Sequence, residues 1–294
     1  MRCKTSYFFI GLITFFIGCS VVILLFSNYE SSETPVTEVP VKLVEKKTET
    51  KIEKAEIPFN SQIKGLEDFP ERDQTKYKTK IVDVENHFNS YRKNEVVAKT
   101  GENWLGLFID SENSYLKNYK VKVLLDKEIS FDEERWVSIK LERSVKPFIL
   151  IKNSKQLEQG KVTTLFHKIS QSDEEIYDDS NVMNRNFSRD FQFNNRNYKL
   201  VVKDAETKSG EKVLALVLET ENESQIVTYG NYFNGEYLGH LLWVGDLDND
   251  GKLDFYMSFN DFEKGNFDSK LYLSSEAEKG KLVKEVAGFF TAGC

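Results

Sequence analysis

An all-β body, arranged as a sandwich or as two small antiparallel β units behind an N-terminal transmembrane helix and a disordered linker, is the fold this sequence predicts. Three observations predict it. Short apolar and aromatic runs recur through residues 76–294 with turn-forming residues between them. The chain carries 22 Phe and 13 Tyr, residue types that suit a pleated, half-buried surface. An uncharged run near the start is followed by a proline-spaced polar stretch, so the first quarter of the chain reads differently from the rest.

Residues 1–6 hold Arg2 and Lys4 and make a short cationic, cytoplasmic start; residues 7–26 carry no charge. Twenty such residues span about 30 Å as a helix, the thickness of a hydrocarbon core. Basic residues before the run, with Glu30 and Glu33 after it, keep the start in the cytoplasm and send the remainder across. The run is long and lacks an A-x-A-like exit, which favours an uncleaved signal anchor. Lipidation at Cys19, after Phe16-Ile17-Gly18, and simple cleavage are the alternatives. All three readings place the C-terminal body outside the cytoplasm.

Residues 27–75 read as a linker. Pro35, Pro40, Pro58 and Pro70 fall here among Glu, Lys, Thr and Ser, a mixture with too little apolar surface to offset its ordering entropy. From residue 76 a first β domain, or first half, runs to 169, with strands expected at 81–84, 104–109, 119–125, 136–141 and 148–151. In the third of these, Val121 and Val123 alternate with Lys120 and Lys122, the period of two of a half-buried strand. Residues 170–190, acidic and Asn-rich, form a connecting loop. The second half, 191–294, holds strands at 191–193, 198–202, 213–218, 226–229 and 270–273. Ser209-Gly210 reads as a hairpin turn, and 276–286 as a helical turn or an edge strand.

Between two apolar, aromatic segments at 240–245 and 253–259 lie Asp246-Leu-Asp248-Asn-Asp250-Gly251-Lys252-Leu-Asp254. Calcium takes six to eight oxygen ligands, so carboxylates at alternating loop positions suit it. Asp246, Asp248 and Asp250 would offer side-chain oxygens, Lys252 its main-chain carbonyl, and Asp254 would close the shell. Gly251 would take the bend that a side chain would obstruct. Carboxylates about 4 Å apart repel by roughly 1 kcal/mol per pair even in water, so the arrangement calls for a cation. An EF-hand is excluded: its helices are missing and its twelfth position is Met257. The pattern resembles the D-x-D-x-D-G-x-x-D calcium loops of FG-GAP and VCBS-type repeats over about twenty residues; those families carry tandem copies, and this chain has one. The stretch from Lys270 through Ser275 to Cys294 is similar to the tails of exported bacterial-type proteins. The resemblance implies calcium and adds no activity.

The formal charge of −7 becomes −9 once Arg2 and Lys4 are set aside, which argues against nucleic acid and against docking on anionic lipid. Cys3 lies in the cytoplasmic start and Cys19 in the membrane segment, which leaves Cys294 alone in the body, available for a bridge between chains. His87, His167 and His240 show no zinc-protease spacing, and His167 and His240 read as strand residues. Carboxylate pairs for sugar hydrolysis would have to come from Asp110, Glu112, Asp173, Glu174, Glu175, Asp178 and Asp179. Asp261, Glu263 and Asp268 follow the acidic loop as further ligands or as a polar turn. Two functions follow. One is a membrane-tethered extracytoplasmic β module with a structural calcium site, binding a protein or glycan ligand or serving in envelope structure. The other is an exported, calcium-stabilised hydrolase acting on a glycan or other envelope substrate.

Overall fold

The computed structural model describes residues 61–68, 76–84, 90–92, 96–110, 113–125, 136–139, 146–168, 180–230, 237–259 and 266–292. The apolar run at 7–26, His87, Glu112, Asp173, Glu174, Glu175, Asp178, Asp179, Asp261, Glu263 and all three cysteines lie outside them. Among the described residues every element is a strand, and no helix is long and apolar enough to cross a membrane.

Chain order begins with β1 (Ile63–Leu66), β2 (Lys80–Asp83), β3 (Ser90–Arg92), β4 (Asn103–Ile109), β5 (Ser114–Lys120) and β6 (Val123–Leu125). It continues with β7 (Trp136–Ile139), β8 (Ile149–Lys152), β9 (Gly160–His167), β10 (Val182–Asn184), β11 (Ser188–Phe193) and β12 (Arg196–Thr207). The last six are β13 (Lys212–Glu219), β14 (Ser224–Gly230), β15 (Tyr237–Asp246), β16 (Asp254–Ser258), β17 (Asn266–Leu273) and β18 (Lys284–Ala292).

A five-stranded sheet runs β1-β12-β13-β14, with β11 also on β12. A ten-stranded sheet runs β18-β17-β16-β15-β9-β5-β4-β8-β2, with β10 on β15. A small third sheet joins β3, β7 and β6. The large sheet curls until its two ends meet: Ser269 on β17 donates to the Asp83 carboxylate on β2 at 2.8 Å, and the Tyr77 hydroxyl donates to Glu285 on β18. Register irregularities at 241/243, 244/245 and 271/272 supply the bends.

Two cores explain why some strands are apolar on both faces. Leu107, Leu116, Ile149, Ile151, Trp243, Tyr256, Leu271 and Phe289 fill the inside of the curl. Leu200, Leu214, Leu216 and Leu218 of the small sheet pack against Leu241, Val244, Phe255, Met257 and Tyr272 of the large one. Strands β15 and β16 serve both cores at once, hence their unbroken hydrophobic runs. The loop between them is thereby held at both ends in packed apolar surroundings.

Several expectations need correction. The strand foreseen at 119–125 is two: Val121 turns its backbone to Gly101 and Glu102, and the chain then passes from β5 to the sheet of β6. Strand β10 and the start of β11 lie inside the expected loop at 170–190, because Met183 is buried in the core between the sheets. Strand β1 lies inside the expected linker at 27–75, where Ile63 and Leu66 pack against Ala205, Val213 and Ala215. Strand β9, foreseen only as the strand setting of His167, pairs with both β5 and β15 and so joins the two expected halves in one sheet. The 276–286 segment turns and then enters β18, which pairs with β17.

Candidate metal centre

Strand β15 ends in Asp246 and β16 begins with Asp254; Gly245 stands opposite Asp254 in the ladder. The connecting turn is pinned by Leu247, buried inside the curled sheet, and Leu253, buried between the sheets. Asn249 and Gly251 take left-handed backbone at φ 58° and 83°. Glycine suits the second, since only there does the chain reverse without a Cβ penalty.

The turn wraps its N–H groups around its own carboxylates. Asp246 accepts from the amides of Asp250 (3.1 Å) and Gly251 (3.0 Å), and Asp248 accepts from Asp250 (3.2 Å) and from the Ser275 hydroxyl. Asp250 accepts from the Lys252 amide at 2.8 Å. Asp254, 0 % exposed, accepts from Leu247 N at 2.7 Å and Ser274 N at 2.8 Å. The Ser274 hydroxyl lies 3.0 Å from Asp250 and 2.9 Å from Asp254, and its single proton serves one at a time.

Oxygens of Asp246, Asp248 and Asp254 lie within 4.8 Å of one another, a group that can hold a metal ion. Burial pushes all three carboxyls above their usual range, Asp254 well above it, with neighbouring aspartates adding to the rise. The donors are all oxygen, the set preferred by hard cations and unlike the nitrogen and sulfur sites of zinc. The fit is chemical as well as spatial. Asp250 lies toward the rim with the Lys252 ammonium 3.8 Å away, and the Lys252 main chain follows it round the bend.

Outside the loop, three attachments escaped the sequence reading. Asn194, in the β11–β12 turn, donates to the Gly251 carbonyl at 2.9 Å. Asn249 donates to the Lys161 carbonyl on β9 at 3.2 Å. Ser274 and Ser275, just past β17, complete the wall. The first of these has a signal: paired asparagines between apolar runs mark a turn, and Asn194 and Asn195 both have positive φ. The serines have none, because only the β16–β17 pairing brings them near.

Asp268 is not brought to the loop. Ser258 pairs with Ser269 and Phe255 with Tyr272, so Asp268 sits at the other end of that ladder. His240 is buried in β15, and His167 and Asp110 border an open cleft beside β9. No family model, curated protein or solved structure matches the chain.

Proposed function

We propose that this chain is a membrane-tethered, extracytoplasmic β module in which one calcium ion fastens the β15–β16 turn, and that its role is binding or envelope structure. In this reading Asp246, Asp248, Asp250 and Asp254 supply side-chain oxygens and Lys252 its carbonyl, as in FG-GAP and VCBS-type loops. The observation that carries it is the convergence of the Asp246, Asp248 and Asp254 carboxylates around a turn built on Gly251. A cation relieves their repulsion and the desolvation of Asp254 together. Attachments from the loop to the small sheet through Asn194 and to β9 through Asn249 support a stapling role. The uncharged run at 7–26 and the acidic balance of the remainder support the tethered, exported placement. Outside cells, loops with dissociation constants of roughly 10⁻⁴ to 10⁻³ M fill with calcium. At millimolar calcium such a site adds only about 0.4 to 1.4 kcal/mol by mass action, which is the scale of a staple.

Calcium titration calorimetry of the full-length chain in detergent micelles, set against Asp248→Ala, tests the metal. The wild type should give a binding heat that the variant lacks; equal heats from both would end the proposal. A reporter enzyme active only outside the cytoplasm, fused after Cys294, tests the placement, and an intact but inactive fusion would reject it. A glycan hydrolase would need two carboxylates facing each other across about 5 to 9 Å. Among the described residues lining the cleft beside β9, Asp110 is the single carboxylate.

A further inference from the structure

Next to the metal loop β9 runs on past the start of β5. Strand β5 pairs with β9 over Gly160–Val162, whereas β15 pairs with it over Thr163–His167. One strand thus runs on past the end of its neighbour and leaves an open cleft of about 360 Å³, within the size range of small-molecule sites. Asp110 and Asn113 stand on the hairpin side. From β9, Lys161, Thr163, Leu165 and His167 line it, all four exposed, with the ladder to β15 irregular at Leu165.

The lining chemistry selects among ligands. Among the described residues of the lining one carboxylate and one ammonium cancel, so neither a polyanion nor a polycation finds a complementary field. Partial desolvation by its neighbours lowers the pKa of the otherwise exposed His167, which leaves a neutral imidazole with one donor and one acceptor at physiological pH. Asn113 and Thr163 likewise both donate and accept. Leu165, 40 % exposed, adds an apolar contact in the middle of these polar groups. Mixed donors and acceptors around a small apolar spot match a molecule that carries hydroxyls on its rim and C–H groups on its face.

We propose that this cleft binds a neutral saccharide. The inference gives the binding role proposed above a location and a ligand class, and it rests on that reading. The metal loop supports the floor: Asn249 holds the Lys161 carbonyl, and Asp246 stands opposite Thr163.

Saturation-transfer NMR of maltotriose and chitotriose, each with the full-length chain in detergent micelles, tests it. Transfer to C–H protons of at least one trisaccharide is expected, with affinity about fivefold weaker in Asn113→Ala, the loss of roughly one neutral hydrogen bond. Leu165→Ser should weaken it as well. The Asn113 backbone amide, bonded to Asp110 at 2.6 Å, keeps the turn in the alanine variant, so that variant alone suffices should Leu165→Ser lose its far-ultraviolet β spectrum. Saccharide transfer that survives in Asp248→Ala after calcium heat is lost upholds the cleft and isolates it from the metal. Absence of transfer at about 10 mM of either sugar overturns the proposal. So does transfer undiminished in both cleft variants, or transfer only from a sulfated trisaccharide.

Discussion

Replacing His240 by phenylalanine should make the fold resist mild acid. His240 lies on β15 opposite Ser258 on one side and Val182 on the other, with the Tyr237 ring centred 5.7 Å away, and is 2 % exposed. Burial pushes its pKa from the usual 6.5 down to about 4. Between those two values the unfolded chain binds a proton that the folded chain refuses. The stability that depends on a neutral ring is therefore intact above pH 6.5 and is lost as the pH falls toward 4. Linkage puts the loss at about 2 kcal/mol by pH 5 and about 3 kcal/mol by pH 4. Phenylalanine keeps a ring of similar size and takes up no proton. Urea unfolding of both proteins from pH 7.5 to 4.5, with EDTA throughout, isolates the effect, because the other titrating groups are common to both. The gap between the two should shift by about 2.5 kcal/mol in favour of the variant on acidification. A gap that stays constant with pH would refute the reasoning.

Three further outcomes are expected. A Cβ on Gly245 would lie 2.0 Å from the Thr163 carbonyl oxygen and 2.6 Å from the Trp243 ring, so Gly245→Ala must part β9 from β15. It should cost about 3 kcal/mol in urea unfolding, the upper range for overpacking, and a loss below about 1 kcal/mol would contradict the observed approach. Ser274→Ala removes the hydroxyl shared by Asp250 and Asp254 and should destabilise the metal-free chain by about 1 kcal/mol in the same assay; an unchanged midpoint would argue against it. Because Asp246, Asp248 and Asp254 are held above the usual carboxylate range, calcium should displace protons and bind more weakly as the pH falls. Calorimetry near pH 5.5 in two buffers of different ionisation enthalpy should then give different heats, and identical heats would exclude proton release.

Much of the fold was legible because strands that serve two cores announce themselves. Val213 to Leu218 and Leu241 to Val244 are unbroken apolar runs, and the acidic turn between β15 and β16 stands out against them. Most of strand β9 hid because Lys161, Thr163, Leu165 and His167 are exposed while only Val162 is deeply buried, so its pattern is more polar than that of a core strand. Strand β1 hid for a related reason: four residues beside prolines and charges look like linker until Ala205 and Val213 are there to receive Ile63 and Leu66. At the candidate site the four aspartates and Gly251 were readable from spacing. Asn194 and Ser274 were not, since the residues they hold lie 57 and 20 positions away and meet them only through sheet pairing.

The curl of the large sheet has a consequence for how the chain matures. Its join is made by some of the earliest and latest described strands: Asp83 with Ser269, 186 positions apart, and Tyr77 with Glu285, 208 apart. Until β17 and β18 are available, β2 has nothing to seal against. Its bare edge is then exposed to neighbouring molecules for as long as synthesis takes. A chain cut before β17 would keep that edge permanently open, so it should clump where the uncut chain stays dispersed.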